Sequence, residues 1–155
     1  MNVRPEIGVL IPDGEDFSDW ESAVIYGGGT PKLIHETDDL PYSAQGLLVG
    51  GTSQFKNDLH FSLINALRQN LPVLGIHNGM HVLNRSLGGF REIPVDSDES
   101  KIKQSVFLAP GGKISFIIAG SGWVSVPFSN DAGIRQLQLS PELFASSYRE
   151  DGFLV

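Results

Sequence analysis

Leu71–Gly89 reads LPVLGIHNGMHVLNRSLGG, and the rest of the chain is organised around it. Pro72-Val73-Leu74-Gly75 is a short apolar run flanked by turn residues, the pattern of a buried strand. From Asn78 to Leu87 apolar residues recur at helical spacing, at Met80, Val82, Leu83 and Leu87, and Gly88-Gly89 ends the helix. Between strand and helix, Gly75-Ile76-His77-Asn78-Gly79 has the Gly-x-Z-x-Gly form of a nucleophile elbow. The middle residue of such a turn has a strained backbone, and its flanking glycines admit close approach of neighbouring chain. Its side chain stands at a helix N-terminus, where free N–H groups favour negative charge. Elbows usually hold Ser or Cys. This one holds His77, and the chain contains no cysteine.

Upstream, Glu6–Ile11 reads as a first strand and Ser18–Tyr26 as a helix with capping residues at Asp16, Ser18 and Asp19. Gly27-Gly28-Gly29 follows that helix and precedes a Pro31–Ile34 strand. A phosphate cradle would open a helix instead, so the triplet reads as a terminator. Asp38–Pro41 is a loop and Gly46–Val49 a central strand. Gly50-Gly51-Thr52-Ser53 lies at its carboxyl end, where open α/β sheets bind ligands. Asn57-Asp58 can cap a helix running to about Asn70, with Leu59, Leu63, Ile64, Ala66 and Leu67 on its buried face. His60 is expected at the surface or half-buried. The βαβ alternation predicts a parallel sheet with helices on both faces.

Downstream the character changes. Arg91–Lys103 is polar, and its acidic run Asp96–Ser100 lacks the Gly and terminal Glu of a calcium loop, so it reads as solvated. Lys103–Leu108, Lys113–Ala119 and Trp123–Phe128 read as strands, separated by Pro110-Gly111-Gly112 and Gly120-Ser121-Gly122. Leu139–Tyr148 and Phe153–Val155 bracket Asp151-Gly152, a hairpin signal. The second half is thus expected to be β-rich and antiparallel.

The 155 residues carry a net charge of −7, with Lys and Arg scattered. That argues against a nucleic-acid groove, which needs a basic footprint. No apolar run approaches a membrane span and no signal pattern opens the chain, so a cytoplasmic protein without a membrane partner is expected. The absence of Cys removes disulfides, thiolate metal sites and thiol catalysis from this chain. His77 and His81 form a His-x-x-x-His pair that could weakly hold Zn, Ni or Cu. Asp13, Glu15, Asp16, His35 and His60 are candidate third ligands only by position. The favoured reading has no metal and no cofactor.

Taken together, Gly46-Leu-Leu-Val-Gly-Gly51, the following helix, PVLGIHNGMHVLN and Leu87-Gly-Gly89 resemble the class I glutamine amidotransferases, most closely their gamma-glutamyl hydrolase-like branch. That family shows P-[VI]-L-G-[IV]-C-R-G-x-Q-x-[LM]-N. His77 stands at the position of its nucleophilic Cys and His81 at that of a Gln near the substrate. The resemblance implies an α/β, three-layer, flavodoxin-like fold with a mostly parallel central sheet and a β-rich C-terminal half. It implies a single domain over residues 1–155, short at its C-terminus relative to the family. It also implies an oxyanion hole from the backbone N–H of Gly50 or Gly51 and of Asn78, able to accept a small anionic or gamma-glutamyl-like ligand beside His81. The family's His-His-Gln segment aligns with Phe128–Ala132, where both His are absent, and the His-Pro-Glu that completes its triad has no counterpart before Val155. A nucleophile needs a base within reach. The expectation is therefore a catalytically inactive ligand- or partner-binding relative. The alternative is a C–N amide hydrolase using His77 with a metal or a partner-supplied base. An uncovered sheet edge or apolar patch is also expected, and with it a homo-oligomer or protein partner.

Overall fold

A computed structural model describes residues 4–57, 60–95, 103–127 and 132–155. The expected cap at Asp58, the expected burial of Leu59, the acidic run 96–100 and the segment 128–131 lie outside them. The chain forms two compact units, meeting in sequence after Ser86.

The first unit is a parallel sheet in the order β2-β1-β3-β4, built from β1 (Glu6–Leu10), β2 (Thr30–Ile34), β3 (Gly46–Val49) and β4 (Val73–Gly75). Its helices are α1 (Ser18–Tyr26), α2 (Phe61–Arg68) and α3 (Asn78–Ser86). Alternating side chains build two cores, because successive residues of a strand point to opposite faces. Leu10, Leu47 and Val49 join Leu63 and Ala66 of α2 and Val82 of α3 on one face. Val9, Ile11 and Leu48 meet Trp20 and Val24 of α1 on the other. The three layers and the parallel sheet follow the sequence expectation.

The α1 face is the thinner cover. No residue of α1 is fully buried, and a groove of about 540 Å³ opens beside it, lined by Ile7, Val24, Leu48, Pro72, Leu74 and Ile76 among others. Leu74 lies on β4, the sheet edge, and is 55% exposed.

The second unit is a six-stranded sheet in the order β5-β8-β10-β9-β6-β7. The strands are β5 (Ile93–Pro94), β6 (Lys103–Leu108), β7 (Gly122–Pro127), β8 (Ala132–Arg135), β9 (Ser147–Arg149) and β10 (Phe153–Leu154), and the paired neighbours run antiparallel. The Asp151-Gly152 hairpin forms as expected, with the Gly152 N–H donating to Arg149 O at 3.0 Å and Gly152 at φ 84°. Phe107 packs across strands on Trp123 and Tyr148, with ring centroids 5.4 and 5.2 Å apart.

Two expectations fail here. Lys113–Ala119 is not a strand: Lys113–Ile117 is a short helix, α4. The Ser115 hydroxyl donates to Gly112 O at 2.7 Å, the Phe116 N–H bonds back to Gly112 O, and the segment ends at Ala119 with φ 52°. A short apolar run does not by itself distinguish strand from helix. Most of Leu139–Tyr148 is irregular, and only Ser147–Arg149 pairs. Phe144 from that stretch is exposed and so contributes no burial to a strand.

Candidate functional site

The site begins at the corner between β4 and α3. The Ile76 N–H donates to Val49 O at 2.8 Å, which pins the end of β4 to β3. His77 then takes φ 56°, a left-handed conformation. For a residue with a Cβ this costs about 1–2 kcal/mol. The turn closes when the Gly79 N–H reaches Ile76 O at 3.0 Å and the Met80 N–H reaches His77 O at 3.1 Å. A Cβ on Gly79 would lie 1.9 Å from Val49 O, and one on Gly75 would lie 2.8 Å from Gly79 O. Both glycines of the motif are therefore needed for the first turn of α3 to press on the strand ends. His77 is half-buried, and His81, one turn further on, is buried.

The sheet order makes the gap between β1 and β3 the switch point, since the chain proceeds to β2 on one side and to β4 on the other. Loops at the carboxyl ends of strands around such a point form the usual ligand crevice. Here they are tied together by carboxylates. Glu15, in the loop after β1, accepts from the Thr52 N–H at 3.0 Å, the Ser53 N–H at 3.2 Å, the Ser53 hydroxyl at 2.9 Å and the Trp20 indole N–H at 3.3 Å. Partial burial pushes the Glu15 carboxyl up, but these donors together outweigh it and hold the group below its ordinary value. Trp20 can reach across because Gly50 has no side chain; a Cβ there would meet the indole at 2.4 Å.

A second tie comes from Glu36, just after β2. It is 2% exposed, and its two oxygens accept from the Asp13 N–H at 3.1 Å and the Lys56 N–H at 3.0 Å. A buried carboxylate is tolerable only when so bonded. Lys56 also reaches Asp13 at 3.3 Å, and His35 lies 3.7 Å from the same carboxylate. The Lys56 hydrogen bond is the main cause holding the Asp13 carboxyl below its ordinary value. Asp16 is lowered by the Ser18 N–H and hydroxyl, which it binds two residues ahead in the turn that leads into α1. His60 is not at the surface as expected: it is wholly buried, edge-on to Phe55, with Nδ1 3.4 Å from Glu36 O. The burial follows from its place at the entry to α2, over the turn that Glu36 organises.

The residues singled out in the sequence are brought together in part. The Gly-Gly loop adjoins the elbow directly, for the Asn78 N–H donates to Gly51 O at 3.3 Å. The Gly50 N–H donates to Leu10 O at 3.0 Å. In this arrangement those two N–H groups point at protein carbonyls. The Asn78 side chain also holds the loop, its amide donating to Thr52 O at 3.1 Å and Ser53 O at 2.9 Å. Among the described residues, no group of three or more His, Asp and Glu side chains is placed to hold a metal ion. Sequence reasoning missed Glu36 and Trp20 entirely and treated Glu15 only as a position in a metal set. Nothing local in the sequence marks them, since their partners lie twenty or more positions away except for the Trp20–Glu15 contact.

No family model matches the chain, and no curated protein matches it by sequence. Solved structures do resemble it. A glutamine amidotransferase from Thermotoga maritima superposes with a TM-score of 0.70 at 14% identity, over 99% of this chain and 70% of that one. A candidate GMP synthase component from Thermoplasma acidophilum gives 0.71 at 16% identity, over 97% and 75%. A glutamine amidotransferase from Methylobacillus flagellatus gives 0.63 at 16% identity, over 96% of this chain but 63% of that one. The chain thus spans less than two thirds of the Methylobacillus protein. At these identities the likeness is one of fold: the chain has a class I glutamine amidotransferase-like fold.

Proposed function

We propose that this protein is a non-catalytic member of the glutamine amidotransferase-like fold, acting as a ligand- or partner-binding module. One observation carries the reading: His77 occupies the strained elbow corner at φ 56° in a chain that has no cysteine to put there. By motif the chain resembles the gamma-glutamyl hydrolase-like branch, and an anionic or gamma-glutamyl-like ligand is the class we propose for it. The test is incubation with glutamine and gamma-glutamyl amides, with glutamate and ammonia measured. No release above background is expected. Turnover that His77→Ala abolishes would replace this reading with an amide hydrolase using His77 with a metal or a partner-supplied base.

The partner half of the reading draws on the open edge. Pro72 and Ile76 bond to β3, so Val73 and Gly75 turn their backbone groups toward the side of β4 that pairs with no strand among the described residues. The groove beside Leu74 adds apolar surface there. A second copy is the occupant we propose, because two such edges related by a two-fold axis pair antiparallel with each other. Sedimentation velocity at rising concentration should show a dimer, and a monomer throughout would remove this half.

A further inference from the structure

We propose that the Glu15 side chain is a built-in occupant of a carboxylate cradle at the switch point of the parallel sheet, and that an external carboxylate takes the same donors when Glu15 swings out. This rests on the ligand-binding reading above and names how that site is regulated. Four donors converge on the Glu15 carboxylate: two consecutive backbone N–H groups, one hydroxyl and one indole N–H. Successive backbone N–H groups aimed at one point form an anion-binding nest. The Thr52 N–H sits 3.0 Å from each oxygen of the carboxylate.

The cradle does not depend on its occupant. The carbonyls of Thr52 and Ser53 are gripped from behind by the Asn78 amide. Further along the same loop, the Lys56 N–H is held by the buried Glu36. The donors therefore stay in place when Glu15 leaves. The occupant, in contrast, sits on a yielding segment. Gly14 precedes it at φ 89° with open space around the position of a Cβ, and Glu15 itself is only partly buried. Among the described residues no Lys or Arg forms an ion pair with Glu15, so its departure breaks no ion pair. A ligand must displace this internal anion, which lowers its apparent affinity by the fraction of molecules in which the cradle is open.

The experiment follows the backbone amide resonances of Thr52 and Ser53 in the wild type, Glu15→Gln and Glu15→Ala. Each is titrated with sodium acetate, with sodium chloride at matched ionic strength and with acetamide as the uncharged isostere. In Glu15→Ala, acetate is expected to shift both amides saturably toward their wild-type positions, while chloride and acetamide leave them in place. The wild type is expected to respond several-fold more weakly to acetate, and Glu15→Gln to fall between. Glu15→Gln keeps the shape of the side chain, so it reports on charge alone if Glu15→Ala loosens the fold. No saturable response in either variant overturns the proposal. So does a wild type that responds as strongly as Glu15→Ala. Equal responses to acetate and chloride mean an adventitious ion only, and also overturn it. The readout involves no turnover: glutamine hydrolysis by the wild type refutes the non-catalytic reading alone, and silence in both variants refutes the cradle alone.

Discussion

In β3 all four residues are buried, whereas the six residues of β7 alternate between half-buried and exposed. The contrast extends to the two units that contain them. The parallel sheet of the first unit has side-chain cores on both faces, so its central strands must be apolar throughout. The antiparallel sheet of the second is held by the long β6–β7 pairing, by shorter pairings of its other strands and by cross-strand rings such as Phe107 on Trp123. Trp123 and Tyr148 remain 53% and 41% exposed there. Close packing on the α2–α3 face makes that side of the first unit intolerant of added or removed volume, while a sheet that leaves its rings half in solvent has room to adjust.

The hardest way to break that contrast is at the elbow. Gly79→Ala places a methyl group on a backbone oxygen that cannot yield, and should destabilise the protein by about 3 kcal/mol or more. Urea unfolding measures this, and a wild-type midpoint would mean that the corner is not tightly packed. Next in size are truncations in the two cores. Leu63→Ala removes a wholly buried side chain from the first unit and should cost roughly 2–5 kcal/mol. Val106→Ala in the second unit should cost about 2 kcal/mol. A larger loss at Val106 in the same unfolding series would reverse the comparison.

A smaller effect concerns acid. Because the Glu15 carboxyl is held below its ordinary value in the folded protein, the stability it contributes is present above its unfolded pKa and is lost as pH falls through the folded one. The amide shifts of Thr52 and Ser53 should therefore titrate with a midpoint below that of an unconstrained glutamate, and Glu15→Gln should remove the transition. A midpoint above the ordinary glutamate value would mean that burial prevails over the hydrogen bonds. Smallest of all, Phe116→Ser on the exposed side of α4 should leave stability within about 0.5 kcal/mol of wild type. A clear loss in thermal unfolding would show that the apolar run on α4 is covered.

The first unit was the more legible in sequence. Its central strands β1 and β3 read as apolar runs because they are largely covered on both faces, and its glycines read as an elbow because two backbones meet there at 1.9 and 2.8 Å from any added Cβ. The second unit was less so. Ile114, Phe116, Ile117 and Ile118 look like a strand, yet all four are exposed on or just beyond α4. Their pattern carries no burial signal because they bury little. Within the site, His77, Asn78 and the Gly50-Gly51 loop could be found from motif order, and the Asn78–Gly51 contact joins them. Glu36 and Glu15 could not, since an acid in a loop looks the same whether it faces water or a row of N–H donors.

What the order of residues determined unaided is local: which runs form strands, where the chain turns sharply, and that an imidazole stands at the turn. These follow from hydrophobic periodicity and from the backbone freedom of glycine, both of which act over a few neighbouring positions. What only the folded chain decided is which loops face each other across the β1–β3 gap. Glu15 finds Thr52 and Ser53 across 37 and 38 positions, and Glu36 finds Asp13 and Lys56 across 23 and 20. Those distances in sequence close only when parallel pairing brings the carboxyl ends of the strands to one rim, and no short-range pattern encodes that.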